Sequence, residues 1–311
     1  MVKLSDAIEN VLNEARILLL GGQVLLGFGY RACFEPRFEQ IPAAAQWAQI
    51  IGLSIMTAGL GWLIWPAAFH QIREDGASNT AIHAFTTRVL DWGLLPLALG
   101  LPLTIFPVAT ALHIGHPLWI SVAPGVMALL IWYAWSYAVR DPRKRRQVRQ
   151  ELLSQEVQAK ETQGKNQQKP DISERIKKVL IECRMALPGA QAFLGFQFAI
   201  VFAQAFEQIP RSWQIIHFAS LLATTVSIVL LIAPAAYHRV AEAGEDTEHF
   251  HTVASRLLLA ALVFLGPGMA GDLFVVIAKV SGSAKAAGLT AGIMLLAFYG
   301  LWFGVSAWRK K

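Results

Sequence analysis

Charged residues are scarce in this 311-residue chain: Asp, Glu, Lys and Arg make up 15% of it, against about 25% in soluble domains. Hydrophobic residues make up 55%, and the mean hydropathy is +0.45. A deficit of charge combined with long apolar runs is typical of chains that lie in a lipid bilayer. The composition therefore excludes an ordinary soluble domain.

The signatures of common enzymes are also missing. The sequence contains no phosphate-binding loop, no GxSxG motif, no HExxH motif and no CxxC pair. Cys33 and Cys183 lie at different depths of equivalent apolar runs, too far apart for a disulfide, which needs Cα atoms within about 7 Å. We expect no enzymatic activity and no cofactor. We also expect no nucleic-acid partner, because the basic residues flank apolar runs instead of forming one surface.

The N-terminal segment does not match a cleavable signal peptide. It carries Asp6, Glu9 and Glu14 before the first apolar run, whereas a signal peptide begins with a basic region. We expect the first apolar run to remain as an uncleaved anchor.

Eight apolar runs are long enough to span a bilayer, which takes about 20 residues in a helix. They cover roughly residues 15–35, 45–69, 88–112, 118–139, 186–206, 213–237, 256–280 and 286–308. The sequence therefore predicts an all-α membrane protein with eight transmembrane helices.

A polar, Gln-rich segment separates the fourth and fifth runs and divides the chain into residues 1–140, 141–171 and 172–311. Its basic start, Arg140–Arg149, is expected at the inner leaflet, where it sets topology or contacts anionic lipids. Of the 27 Lys and Arg residues, only Arg31, Arg37, Arg211, Lys279 and Lys285 fall away from the side of the termini. The positive-inside rule then predicts a multi-pass inner (plasma) membrane protein with both termini cytoplasmic.

The two halves of the chain are copies of one another. From residue 14 to residue 91 they align without a gap at an offset of 168, with 28 of 78 positions identical. FEQIP occurs in both halves, and IWPAAFHQI matches IAPAAYHRV. Each half has an even number of spans, so both face the same way, which predicts two parallel four-helix repeats about an axis along the membrane normal. Fusion of the two halves of a structural dimer would give the same pattern.

Charged and histidine residues that both halves retain lie mostly at the cytoplasmic ends of the predicted spans. They are Glu14, Arg16, His70, His83 and Arg88 in the first half, and Glu182, Arg184, His238, His251 and Arg256 in the second. We expect each set to form one layer. Such layers either relay protons, since histidine titrates near neutrality, or form an interfacial belt that fixes helix depth.

A shared glutamine lies deeper in each half. Gln23 and Gln191 are expected to face protein or water, where they line a pathway or hydrogen-bond a neighbouring helix. Gly27 and Gly195, one turn further along the same helix face, are expected to allow close helix approach.

Two acidic residues fall well inside predicted spans. Asp91 lies one turn after Arg88, so a local ion pair accounts for it. Asp272 lies in GPGMAGDLF, has no counterpart in the first half and is the better candidate for a proton or ion site.

Two further groups have open interpretations. Glu39 and Glu207, in FEQIP, belong to a structural turn or to an outer ion gate. His238, Glu248, His249 and His251 are residue types that bind zinc, although their spacing matches no strong signature. Paired histidines also leave haem as an alternative.

The stretch ECRMALPGAQAFLGFQFAIVF, followed by FEQIP and IAPAAYHRV, resembles a family of small bacterial four-helix membrane proteins. That family is a domain of unknown function whose members are sometimes labelled sodium:proton antiporters. Both halves are similar to it, the second more closely, through PAAYHR. The resemblance implies the four-helix membrane fold and assigns no catalytic residues.

Taken together, these patterns favour a transporter or channel for protons or small cations. A structural or interaction protein without transport activity is the first alternative, and a metal- or haem-binding redox protein is the second. The bilayer is the expected partner, and the sequence is compatible with oligomerisation.

Overall fold

A computed structural model describes residues 4–74, 80–138, 172–240 and 246–308, together with Glu242 and a few positions between 143 and 158. Within the basic run at 140–149, the structure describes only Arg143 and Gln147. The predicted lipid contact of that run therefore lies outside the described residues.

The described residues form helices and short connections, without a strand. The first half contains α1 (Leu4–Ala32), α2 (Pro36–Gln40), α3 (Ala43–Glu74), α4 (Thr80–Ala111) and α5 (Pro117–Leu129). The second half contains α6 (Ile172–Val201), α7 (Gln204–Glu207), α8 (Arg211–Val240), α9 (Glu248–Ser281) and α10 (Ala284–Tyr299). Wide helical turns at Leu130–Trp135 and Gly300–Val305 extend α5 and α10 to Ala138 and Trp308. Among the described residues, eight helices are long and apolar enough to cross a membrane, which confirms the predicted number.

The short helices α2 and α7 were not predicted, and they form the turns at FEQIP. A shared glutamine stabilises each turn: Gln46 Nε2 donates to the carbonyl oxygens of Phe38 and Ile41 at 3.3 and 3.1 Å. Gln214 makes the equivalent bonds in the second half. These bonds satisfy carbonyl groups at a helix end and favour the structural interpretation of FEQIP. We call this side of the bundle the FEQIP end, and the opposite side the termini end.

Helix α6 begins 14 residues before the predicted span that starts at residue 186. Its first turns carry charges that lower the local hydropathy, but Ile176, Val179 and Cys183 recur at helical spacing and are buried. Packing therefore stabilises the first turns of the helix, which lie before the start predicted from hydropathy. Glu182 lies inside the helix as a result.

Helices α3 and α9 lie at the centre of the bundle, and α5 and α10 lie at its edge. The halves meet where α1 packs on α6 and where α3 packs on α9 and the end of α10. Buried indoles link the second contact: Trp302 Nε1 donates to the Gly61 carbonyl oxygen at 2.8 Å, and Trp65 Nε1 donates to Ser306 Oγ at 3.2 Å. Helix α8, the counterpart of α3, has no comparable packing on α4 or α5 within the described ranges.

Glycine permits the close approach of α1 to α6 at only one of the two predicted positions. A β-carbon on Gly27 would lie 1.9 Å from the Phe196 ring, so the prediction is confirmed there. Gly195 has no described atom within 4 Å of such a carbon, so the prediction is wrong for the second half. The physical reason is that α6 turns a different face toward α1.

Alanine substitutions at these two glycines should have opposite effects. Gly27→Ala is expected to destabilise the protein by about 1–3 kcal/mol, because the added methyl group overpacks the contact with Phe196. Gly195→Ala is expected to stabilise the single chain, diluted to one copy per micelle, by about 0.5–1 kcal/mol, because alanine favours a helix over glycine. Unfolding in mixed micelles, followed by circular dichroism, measures both. Equal effects would contradict the described α1–α6 contact.

Candidate functional site

A buried cluster of polar side chains joins the two halves at the termini end. Glu182 on α6 accepts hydrogen bonds on its two carboxylate oxygens, from His70 Nδ1 and from Gln71 Nε2 at the end of α3. Glu182 is 0% exposed and His70 is 2% exposed. A carboxylate this deep is retained only where such bonds and nearby positive charge compensate for lost solvation.

The cluster continues onto α9. Ser255 Oγ lies 2.7 Å from Gln71 Oε1 and donates to it. Arg175 Nη2 lies 3.3 Å from His251 Nδ1, and because a guanidinium only donates, that ring nitrogen accepts. We call His70, Gln71, Arg175, Glu182, His251 and Ser255 the Glu182 cluster.

Two positive side chains on α6 accompany this carboxylate. Arg175 also pairs with Glu248 at 3.2 Å. Lys178, one turn before Glu182, is 5% exposed, and its Nζ has no hydrogen-bond partner among the residues that the structure describes.

The prediction of one polar layer in each half is wrong. Only three of the predicted residues, His70, Glu182 and His251, join the cluster, and they come from both halves. His238 lies 3.3 Å from Asp246, and His83 is half-buried. The remaining members are exposed, as an interfacial belt would be: Glu14, Arg16, Arg88, Arg184 and Arg256.

The packing of the helices explains why the cluster forms once. The counterpart of the His70–Glu182 pair would join His238 to Glu14. Because α3 is central and α8 is peripheral, only α3 carries its histidine into the contact between the halves.

The two shared glutamines also differ. Gln23 is 1% exposed, and neither of its amide atoms has a hydrogen-bond partner in the described part of the chain. The predicted bond to a neighbouring helix is therefore absent there. Gln191 is exposed on the surface of α6, so of the two predicted surroundings, protein or water, it does not have protein in the single chain.

Asp272 is buried at 1% exposure on α9, and it faces a histidine that sequence reasoning missed. His217 on α8 is equally buried, and its Nδ1 lies 3.0 Å from Asp272 Oδ1. The other ring nitrogen, Nε2, lies 3.0 Å from the backbone oxygen of Gln197. A histidine inside a span indicates a candidate functional residue. His217 was missed because only residues shared by both halves were considered, and Gln49 stands at the equivalent position.

The geometry of this pair determines its proton content. A backbone oxygen only accepts, so His217 Nε2 carries a hydrogen. The distance is that of an ion pair, although neither carboxylate oxygen of Asp272 meets hydrogen-bond geometry with a described residue. If Nδ1 were unprotonated and Asp272 were ionised, two negatively polarised atoms would lie 3.0 Å apart in a buried site. Because that contact is repulsive, the pair holds at least one proton inside the bundle.

Small and hydroxyl-bearing residues surround the pair. A β-carbon on Gly271 would lie 1.9 Å from Ser220 Oγ, and one on Gly268 would lie 2.3 Å from Thr224 Oγ1. Glycine on α9 thus brings that helix against a row of hydroxyl groups on α8. This close approach presents Asp272 to His217.

Two isolated amide groups, Gln23 and Gln197, lie between the two buried sites on the same side of α6. Gln23 lies over Gly189, seven residues beyond Glu182, and Gln197 lies eight residues further on. At 1.5 Å per residue these steps are about 10 and 12 Å. The Gln197 amide, like that of Gln23, has no hydrogen-bond partner among the described residues.

A cavity of about 390 Å³ opens between the halves at the FEQIP end. Lys279 and Glu39 line it and form an ion pair at 2.8 Å. Lys279 lies two helical turns from Asp272 on α9, and Trp213, also in the lining, lies one turn from His217 on α8. The lining thus lies one to two helical turns from the buried pair, nearer the FEQIP end.

The zinc alternative has less support. His249 contacts Tyr237 at 3.1 Å, and the other candidate zinc ligands bind other partners. The described residues contain no group of three His, Cys, Asp or Glu side chains that could hold a metal ion. Both cysteines are buried.

The predicted ion pair of Arg88 with Asp91 is not among the ion pairs of the described residues. Both side chains are exposed on α4. Asp91 instead accepts a hydrogen bond at its backbone oxygen from the Tyr133 hydroxyl at 2.6 Å. Asp91 is therefore exposed and lies outside the buried site of Asp272.

The eight apolar helices define a multi-pass helical membrane protein. Residues 3–138 and 166–306 both match the model of a family of unknown function (DUF6328). The chain belongs to this family and carries two tandem copies of its domain, as the resemblance of both halves implied. Searches of curated proteins and of solved structures return no match.

Proposed function

We propose that this membrane protein conducts protons across the bilayer. The observation that carries the proposal is the buried contact of His217 with Asp272, which holds one exchangeable proton at a depth where ionisable groups are costly. The Glu182 cluster provides a second ionisable site toward the termini end. Protons would pass between the two sites along the side of α6 on which Gln23 and Gln197 lie.

Two features favour protons over larger cations. A metal cation needs several oxygen ligands, whereas Asp272 supplies a single carboxylate opposite an imidazole. The amides of Gln23 and Gln197 are buried without hydrogen-bond partners among the described residues, and buried polar groups of this kind are normally satisfied by water. Water between Glu182 and His217 would carry protons by exchange along hydrogen bonds.

We also propose that the two halves are parallel four-helix units. Repeat-equivalent residues of α1 and α6 meet at both ends of the contact: Glu9 pairs with Lys177 at 2.7 Å, and the rings of Phe28 and Phe196 are 4.4 Å apart. The distribution of Lys and Arg supports an inner membrane location with the termini end in the cytoplasm. The FEQIP cavity would then be the outer mouth of the proton path.

A flux assay tests the proposal directly. Purified full-length protein is reconstituted into vesicles that contain a pH-sensitive dye, and the membrane potential is clamped with potassium and valinomycin. Wild-type protein is expected to dissipate an imposed pH gradient. Asp272→Asn is expected to reduce the rate to that of protein-free vesicles, because an amide cannot exchange the proton.

Asp91→Asn is the matched control. It neutralises an acid in another span that is exposed and lies outside the path, so the flux should be unchanged. Wild-type flux equal to that of empty vesicles, over a range of gradients, would overturn the proposal.

A further inference from the structure

The contact between α1 and α6 uses different faces of two equivalent helices. A β-carbon on Gly189 would lie 1.3 Å from Gln23 Oε1, and one on Gly27 would lie 1.9 Å from the Phe196 ring. The rings of Tyr30 and Phe193 lie 6.0 Å apart, edge to face. The glutamine face of α1 (Gln23, Gly27, Tyr30) thus packs on the aromatic face of α6 (Gly189, Phe193, Phe196).

Because the halves are repeats, each helix also carries the other face. The glutamine face of α6 consists of Gln191, Gly195 and Phe198, and the aromatic face of α1 consists of Gly21, Leu25 and Phe28. Phe198, Leu25 and Phe28 are 49%, 46% and 61% exposed. No described atom lies within 4 Å of a β-carbon built on either glycine.

These two exposed faces match each other contact for contact, although the Phe28 ring also meets Phe196 across the internal contact. The Gln23–Gly189 contact corresponds to Gln191 on Gly21. The other two contacts correspond to Gly195 on Phe28 and to Phe198 on Leu25. All of these residues are exposed in the single chain.

A further aromatic pair extends this match. The rings of Phe34 and Phe206 lie 5.9 Å apart across the internal contact. Their repeat counterparts are Phe202, which is 87% exposed, and Phe38. Phe38 lines a groove of about 450 Å³ together with Leu25 and Phe28, which gives the Phe202 ring a place to bind.

We propose that a second copy of this chain covers both faces, with the glutamine face of α6 in one copy packed on the aromatic face of α1 in the next. A contact between unlike faces leaves one glutamine face and one aromatic face free. Such contacts form a ring when the rotation between copies closes. The smallest ring here has two copies. Gln191 would then be buried as Gln23 is, instead of exposing a polar amide to hydrocarbon.

The subunit count tests this inference independently of proton conduction. Wild-type protein in lipid nanodiscs is expected to contain two or more copies, counted by single-molecule photobleaching of a labelled C-terminus. Gly21→Leu should yield single copies, because the new side chain has room in the monomer but blocks the approach of Gln191. Gly292→Leu, at another exposed and open glycine, should leave the count unchanged.

Cross-linking identifies the contact itself. Gly21→Cys combined with Gln191→Cys should give disulfide-linked oligomers in native membranes, while the buried Cys33 and Cys183 stay unreacted. The control combines Gly21→Cys with Leu222→Cys, which is exposed on α8 at a similar depth, since His217 is level with Gln197. A single-copy wild type, an unchanged count in Gly21→Leu, or a cross-link to a different protein would overturn the inference.

Discussion

Glu182→Ala is expected to destabilise the protein by about 3–5 kcal/mol, the usual cost of removing one partner from a buried charge pair. The loss leaves His70 and Gln71 without their acceptor. It also leaves Lys178 buried without the carboxylate that lies one turn away on α6. Unfolding in mixed micelles measures the change in the free energy of unfolding.

The repeat supplies the matched control for this substitution. Glu14 occupies the equivalent position in the first half and is exposed. Glu14→Ala should therefore change the free energy of unfolding by no more than about 0.5 kcal/mol. Similar losses for both substitutions would show that the Glu182 cluster is not the specific link between the halves.

His217→Gln is expected to abolish proton flux while preserving the fold. The first half already uses glutamine at the equivalent position, where Gln49 Nε2 donates to the Gly29 carbonyl oxygen at 3.0 Å. A glutamine at 217 can make the same bond to Gln197, but its amide cannot share a proton with Asp272. In the vesicle assay the rate should fall to the leak of empty vesicles, with the circular dichroism spectrum unchanged.

The reverse exchange, Gln49→His, places an imidazole in the first half where no buried acid faces it. Its flux should equal that of wild type. Infrared difference spectra between low and high pH give a second readout, because the proton of the pair should produce a signal that both His217→Gln and Asp272→Asn alter. Normal flux in His217→Gln would remove this pair from the proton path.

Much of the fold follows from local properties of the sequence. Eight runs of about 20 apolar residues predict eight spans, because backbone groups in hydrocarbon must be hydrogen-bonded within a helix. The helix ends were less predictable: α6 starts at Ile172, since buried residues between charges hold its first turns. The short helices α2 and α7 depend on bonds from Gln46 and Gln214, which no hydropathy pattern reveals.

The candidate site was only partly accessible from the sequence. Asp272 could be identified because an acid inside an apolar run is costly and therefore informative. Its partner His217 could not be paired with it, because the two lie on different helices and no spacing rule relates them. Selection for shared residues also favoured Arg16 and Arg184, which prove to be exposed.

The sequence by itself determined the membrane class, the number of spans and the duplication, since all three depend on the order of residues along the chain. Only the tertiary structure decided which copy of each shared residue is buried: Gln23 but not Gln191, and Glu182 but not Glu14. Equivalent sequences form equivalent helices, but burial depends on the neighbouring helices. Because α1 and α6 meet through unlike faces, the two copies have different neighbours.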